Sequence, residues 1–373
     1  MGADTEGRWE YCLRAFFSVD LVGSTAQKVG EPGGPPVPWV EAFERFFKEF
    51  PPELVRQYAD VDADVAKAEK RAGARAKTRQ QSDDAWFDAL LRLRRKDEYV
   101  SPRDQFRLLR PWKLNGDEIV FHAQLMRRGD LVLHLLAVQR AVRRYQEPSA
   151  NRARRAPKPP LRVKVVGWLA GFPVTNRQVE VGLDGDPGSV VTEYIGPSMD
   201  IGFRLTEVAD EARLLVSVEM ALMLVDALED AEMREEGLVF CSGRQFLKGV
   251  AGGVPYPELW IPYRSSLEEA QAEAELLGRQ PKRSVMKAFL HAYLETQRMI
   301  RPFIKVGDEV RYGSVPREIE EARQKLMAAD PSAAPLEEPL PEGRPAEFEA
   351  EPQMVGECAA QAVEPTHTCR GTA

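Results

Sequence analysis

Cysteine is scarce in this chain: four residues in 373, Cys12, Cys241, Cys358 and Cys369, with no CxxC pair. Such spacing offers neither a disulfide framework nor a ligand set for structural zinc, and it suits a reducing cytoplasm. Long apolar runs are missing too. The longest, such as Val165 to Phe172, fall far short of the roughly 20 residues a spanning helix needs, so no membrane segment is expected. No basic stretch followed by an apolar one opens the sequence, so a secretory signal is not expected either. Glu6 stands where a myristoylation signal wants Ser or Thr, and Cys369 lies one residue too far from the end for prenylation. An excess of positive charge is also absent. With 51 Lys and Arg against 58 Asp and Glu the formal net charge is -7, which argues against a protein that coats nucleic acid.

What is present is globular: 43% apolar, 29% charged and 8% aromatic residues, enough for one large domain with an appendage or two modest ones. The acidity is localised. Residues 331–373 hold seven prolines, eight glutamates and only two basic residues, Arg344 and Arg370. A segment of that composition buries too little apolar surface to offset its chain entropy and reads as a disordered acidic tail. The preceding 330 residues are nearly neutral.

Within them, Tyr11 to Val19 (YCLRAFFSV) is an aromatic and β-branched run that ends at Asp20 and turns at Gly23, which reads as a strand. Trp39, Phe43, Phe46, Phe47, Phe50, Leu54 and Tyr58 recur at helical spacing, and Pro51-Pro52 predicts a break into two helices. Residues 61–98 are Ala-rich and charged, with Lys67, Lys70, Arg71, Arg75, Lys77 and Arg79 in one block, and read as a solvated helical excursion. Arg110 to Phe121 (RPWKLNGDEIVF) predicts two strands around an Asn115-Gly116 turn. A helix over Leu131 to Tyr145, a basic link and a strand over Leu161 to Leu169 follow, then a Gly/Asp-rich loop. Further on come a helix from about Pro197, a strand at Leu214 to Val218, a helix at Glu219 to Ala231, and strands near Leu238 to Cys241 and Glu258 to Pro262. The order is mixed α and β, beginning βααββαβ, through about Arg264. Leu267 to Met327 reads as helices with one turn at Val306 to Gly313.

Two carboxylates stand where a metal site would want them. Asp20 ends an apolar strand and Asp117 follows a hairpin tip, so pairing of the hairpin beside that strand would aim both at one spot, with room for phosphate oxygens. Alone, each Asp is an ordinary turn or cap residue. Their flanks, FFSVDLVGSTA and WKLNGDEIVF, followed in order by EYIGPSMDIGFRL, LLVSVEMALML and FLKGV, resemble the class III nucleotidyl cyclases over about residues 11–264. Phe17, Asp20, Leu21, Gly23 and Thr25, with Ser24 in the variable place, match the first metal motif; Lys113, Gly116 and Asp117 match the second; Gly196 and Arg204 match a G-x-x-x-N-x-x-x-R helix in which Asp200 replaces the asparagine.

The resemblance implies an α+β domain over 1–264, with a ferredoxin-like βαββαβ core sheet and helices on one face, a helical extension over 265–330 and the tail. It implies that Asp20, Asp117 and the Leu21 carbonyl hold two manganese or magnesium ions per site. One lowers the pKa of the ribose 3′-hydroxyl for in-line attack on the α-phosphate, and the other neutralises the β- and γ-phosphates. Gly23, Ser24 and Thr25 would admit the triphosphate, Arg204 would steady charge on the α-phosphate, and Lys248 would contact phosphate. Lys113 and Glu193 would read the base, with Asp200 in the ribose-orienting place. Phe17 and Tyr58, with the flanking aromatics Phe16, Trp112 and Phe203, are candidates for a crowded base pocket that would exclude purines, although most such aromatics are ordinary core.

The combination Y-I-G-P-x-x-D-x-G-F-R with W-K-x-x-G-D-E is similar to a narrower branch, the pyrimidine cyclases of bacterial anti-phage (Pycsar) systems. That branch implies UTP, or CTP, as substrate and a cyclic nucleotide that activates an effector encoded nearby. The family's shared sites imply a homodimer in which metal residues of one protomer meet the Asp200/Arg204 helix of the other. No nucleic acid or membrane partner is expected. Within the family, a purine (adenylate or guanylate) cyclase is the alternative, and three rivals stand beside this reading. A diguanylate cyclase is suggested by Asn115-Gly116-Asp117-Glu118 but lacks a D-x-D-x-F-K sequence; an inactive homologue would have lost a carboxylate or the arginine; a nucleic-acid binder would use the basic blocks.

Overall fold

The computed structural model describes residues 9–23, 38–74, 85–96, 98, 108–146, 162–182, 190–233, 238–250, 253–263, 267–277 and 282–329. Ser24, Thr25 and the acidic tail lie outside the described residues.

Strand β1 (Cys12–Leu21) is the centre of the fold. Its run is apolar and aromatic on both faces, and Ala15, Phe16, Phe17 and Val19 are all fully buried. On one side it pairs antiparallel with β3 (Glu118–Leu125), which pairs in turn with β2 (Arg110–Asn115); on the other it pairs antiparallel with β4 (Val163–Phe172). The order β2-β3-β1-β4, with helices between β1 and β2 and between β3 and β4, is the ferredoxin-like βαββαβ arrangement. The sheet continues through β7 (Arg213–Val216), parallel to β4, to β9 (Tyr256–Pro262) and the edge strand β8 (Phe240–Gln245).

The first helix, α1, runs unbroken from Pro38 to Ala74. The break expected at Pro51-Pro52 does not occur, because Phe46, Phe50, Leu54, Tyr58, Val61 and Val65 form one fully buried stripe. Six such side chains, at about 1.5–3 kcal/mol each, outweigh about 3 kcal/mol for each interior proline. Of the expected solvated excursion over 61–98, residues 75–84 lie outside the described residues, and its helical ends are buried along one face at Val61 and Val65. Helix α2 (Ala85–Arg95) buries Trp86, Ala89, Leu90 and Leu93, and Arg140 bonds Asp64 at 3.0 Å.

Helices α3 (Arg128–Gln146) and α5 (Val218–Asp230) join them on one face of the sheet. There Gly167 lets the Met220 sulfur and the Phe17 ring approach, since a Cβ at 167 would meet them at 2.7 and 3.0 Å. Helix α4 (Pro197–Val208) lies across the opposite face, over Phe16 and Trp168. Between β4 and α4 the loop anticipated from sequence contains a hairpin, β5 (Arg177–Gly182) and β6 (Val190–Ile195). It is anchored where Tyr194 packs edge-on against Phe16 and Trp112.

After α6 (Leu267–Leu276), α7 (Arg283–Thr296) covers α5. The turn expected near residue 306 is a small hairpin, β10 (Ile304–Val306) and β11 (Glu309–Tyr312), followed by α8 (Arg317–Ala328). Tyr312 donates to Asp226 at 2.7 Å and Tyr11 to Glu320 at 2.8 Å, so this segment is bonded into the sheet domain. No helix among the described residues is long and apolar enough to cross a membrane.

Candidate active site

Antiparallel pairing puts residues of the same register on the same face, so Asp20 shares the α4 face with its partners Glu118 on β3 and Lys164 on β4. The hairpin differs from expectation by one position. Asn115 pairs with Glu118, and the two loop residues are Gly116 and Asp117, with Gly116 at φ +63°. That leaves Asp117 inside the turn, where a two-residue loop needs glycine first. The Leu21 N–H donates to the Asp117 carbonyl at 3.2 Å, which ties the hairpin tip to the end of β1. Gly23, at φ +73° and with nothing within 4 Å of an added Cβ, lies in a turn at the end of this described stretch.

Asp20 is held in a tense environment. Its Oδ2 pairs with the Lys164 ammonium at 3.1 Å, while Oδ1 is buried with no hydrogen-bond partner. Burial pushes the carboxyl up to about 6; Lys164 opposes this, and the nearby charges of Asp117 and Glu118 add to it. An orphaned carboxylate oxygen beside a second carboxylate, on a strand end and a tight turn, is an all-oxygen donor set suited to a hard divalent cation. Among the described residues no group of three or more His, Cys, Asp or Glu is arranged to hold an ion. A cation held there would draw its remaining oxygen ligands from outside these side chains.

A second cluster lies beside β2. The Trp112 indole N–H donates to the Thr192 carbonyl at 2.7 Å and clips the β5–β6 hairpin to the sheet. This brings the Lys113 ammonium to 3.1 and 3.2 Å from the two oxygens of Glu193, both side chains about one-third exposed. The two candidate base-reading residues, 80 positions apart in the chain, thus form one donor–acceptor pair.

Other expected site residues stand elsewhere. Asp200 is exposed on α4, and Arg204 pairs with Glu207 on the same helix at 2.5 Å. Lys248 is exposed in the turn after β8. Among the described residues no hydrogen bond or ion pair joins Asp20 to Asp200, Arg204 or Lys248. Two base-pocket candidates are corrected. Phe17 is fully buried against the α5 face, and Tyr58 is 2% exposed with its hydroxyl 2.7 Å from His134 Nδ1, so neither reaches a ligand. Phe16, Trp168, Tyr194, Trp112 and Phe203 form an aromatic layer beneath α4, with Phe16 and Trp168 stacked at 5.5 Å and 9°.

Sequence reasoning passed over Lys164 and Glu118. Lys164 is the one charged residue of the strand VKVVGWLAGF, a signal that could have marked it. Glu118 directly follows the motif aspartate and accepts a 2.5 Å hydrogen bond from Ser18.

No family profile matches this sequence, and no curated protein matches it. It is similar to several solved nucleotide cyclases. The adenylyl cyclase CyaB from P. aeruginosa is 11% identical over 68% of this chain and 94% of its own, with a TM-score of 0.39. The guanylyl cyclase Cya2 is 12% identical over 68% and 92%, at 0.34. The guanylate cyclase domain of RhGC from Catenaria anguillulae, solved with GTP, is 9% identical over 68% and 99%, at 0.34. Likeness of this degree is loose, and the fold described above rests on the chain's own strand order and register.

Proposed function

We propose that this protein is a nucleotidyl cyclase of the class III type, which converts a pyrimidine ribonucleoside triphosphate, UTP in preference to CTP, into its 3′,5′-cyclic monophosphate and pyrophosphate. The observation that carries this reading is the meeting of Asp20 and Asp117 at one end of the sheet, with one Asp20 oxygen buried and unpartnered. Asp20, Asp117 and the Leu21 carbonyl would hold two manganese or magnesium ions. When bound, such ions supply Lewis acidity toward the ribose hydroxyl and the phosphates.

The chain's own residues do the rest. Lys164 holds the Asp20 carboxylate by its Oδ2, leaving Oδ1 as the free donor. Gly23 opens the turn through which the triphosphate approaches. Lys113 and Glu193 present an ammonium donor and a carboxylate acceptor side by side, a pair able to read the hydrogen-bonding edge of a base. The preference for UTP rests on the resemblance to the pyrimidine-cyclase branch alone.

Arg204 and Asp200 act on a second copy of the chain in this reading. Both are solvent-accessible and unlinked to Asp20 within the protomer, and one face of the β5–β6 hairpin exposes Val179, Val181, Val191 and Ile195 beside Glu193. A symmetric dimer buries that apolar face and brings each α4 to its partner's carboxylates. The product serves as a cytoplasmic messenger that activates an effector encoded nearby in anti-phage defence.

The test is incubation of the purified protein with each of the four ribonucleoside triphosphates and manganese, with products identified by mass spectrometry. A cyclic pyrimidine monophosphate is expected from the wild type and not from Asp20→Ala or Asp117→Ala. Cyclic AMP as sole product would overturn the pyrimidine assignment, and no cyclic product from any triphosphate would overturn the cyclase reading.

A further inference from the structure

Away from Asp20, at the opposite end of β1 and β4, lies a cavity of about 260 Å³. Its walls are mostly apolar: Leu13 of β1, Phe172 of β4, Ile201 of α4, and Met299 and Phe303 of the segment after α7. One buried acid interrupts them. Glu219, the second residue of α5, lines the cavity while only 8% exposed, and its Oε2 has no hydrogen-bond partner. Among the described residues the cations in the lining are Arg298 and Arg301; both are exposed, and Arg301 lies 3.8 Å from Glu295.

A carboxyl oxygen left unpartnered in an apolar wall is costly, and the nucleotide site makes no use of it. Burial pushes this group up to about 7, with Ser217 and the backbone N–H of Glu219 itself opposing the shift. A concave apolar cavity with a single well-placed polar group is the usual form of a small-molecule site. We propose that this cavity binds a small apolar molecule carrying one ammonium group, with Glu219 as its counter-ion. The ammonium completes the hydrogen bonding that the protein leaves open, and the apolar body fills the space between Leu13, Phe172, Ile201 and Met299.

The cavity has a direct mechanical link to α4. Pro197, Ser198 and Ile201 form one wall, and Asn176, which also lines it, accepts the Ser198 N–H at 3.1 Å and donates to the Ser198 hydroxyl at 3.2 Å. A bound ligand therefore braces the first turns of the helix that carries Asp200 and Arg204. That regulatory consequence rests on the cyclase reading, whereas the binding itself does not.

Calorimetric titration of the full chain with hexylammonium, hexanol and hexanoate separates charge recognition from filling of an apolar hole. Hexylammonium is expected to bind about tenfold or more tightly than either of the others. Glu219→Gln should erase that preference while leaving hexanol binding in place. Gly171 lines the cavity where an added Cβ meets nothing within 4 Å. Gly171→Leu should therefore block all three probes without lowering the melting temperature. In the wild-type complex, hydrogen exchange should slow at the amides of residues 198–202. Equal or tighter binding of hexanoate, a preference that survives Glu219→Gln, or no saturable binding of any probe overturns the proposal. Ligand binding by a protein that cyclises no triphosphate would leave this site standing and remove the cyclase reading instead.

Discussion

Replacing Gly202 with alanine puts a methyl group where the ring of Trp168 already stands. A Cβ at 202 would lie 2.3 and 2.4 Å from Trp168 Cδ2 and Cε2. The ring has no room to retreat, being fully buried and stacked on Phe16, with Phe203 at 5.7 Å on its other flank. Ordinary contact begins near 3.4 Å, so α4 must back away by about 1 Å. Overpacking of that kind costs about 1–3 kcal/mol, which lowers the melting temperature by several degrees at about 2–4 °C per kcal/mol. In the cyclase reading, the effect on turnover exceeds the effect on stability. If α4 delivers Arg204 and Asp200 to the nucleotide, a displacement of about 1 Å lowers kcat on the order of 100-fold. Thermal melts and initial rates of cyclic product, measured well below both melting temperatures, give the two quantities separately. Gly171→Ala on the same strand, where the added Cβ meets nothing, is the control. A Gly202→Ala protein that melts and turns over like the wild type would refute the packing argument. One that melts early but keeps its kcat would show that α4 has no part in the chemistry.

Trp112→Phe removes the 2.7 Å bond to the Thr192 carbonyl that holds Glu193 beside Lys113. The loss of about 1 kcal/mol of anchoring should raise KM for the preferred triphosphate several-fold and blur selection among bases, with kcat little changed; steady-state kinetics on all four triphosphates is the check. Tyr58→Phe strands His134 Nδ1 in the core and should lower stability to urea by about 1–3 kcal/mol, while activity per folded molecule stays constant. An altered base preference in that variant would return Tyr58 to the pocket. Glu219 gives a signed pH dependence. Its folded-state carboxyl, near 7, lies above its ordinary value of 4.5, so the unfolded chain loses the proton first as pH rises. Stability from this group is therefore present below about pH 4.5 and is lost as pH climbs to 7, by on the order of 3 kcal/mol. Urea denaturation at pH 5 and pH 7 should show a smaller fall in Glu219→Gln than in the wild type, and matching profiles would exclude the effect.

Much of the fold was legible where local pattern and tertiary demand agree. The β1 run, the β2–β3 hairpin (its turn misplaced by one residue) and the helix from Pro197 announce themselves by period, turn residues and a proline at a helix start. The misreadings share a cause. Pro51-Pro52 looked like a break, and the described ends of 61–98 looked wholly solvated, because local propensity was weighed without the core that α1 and α2 bury. The β5–β6 hairpin was missed because its outward valines follow no interior pattern, its stability coming from Tyr194 and the Trp112 clip.

The sequence by itself determined the candidate chemistry: the order and spacing of Asp20, Asp117, Lys113 and Arg204, and a near-neutral body behind an acidic tail. Those features are local, and spacing along the chain preserves them. Only the tertiary structure decided which of these groups meet. Register put Asp20 between Glu118 and Lys164, the hairpin tip brought Asp117 to Leu21, and a clip 80 residues long in sequence paired Lys113 with Glu193. The same packing took Tyr58 and Phe17 out of reach and enclosed Glu219 beside a cavity. Burial and distance are properties of the whole chain closing on itself, and no window of the sequence contains them.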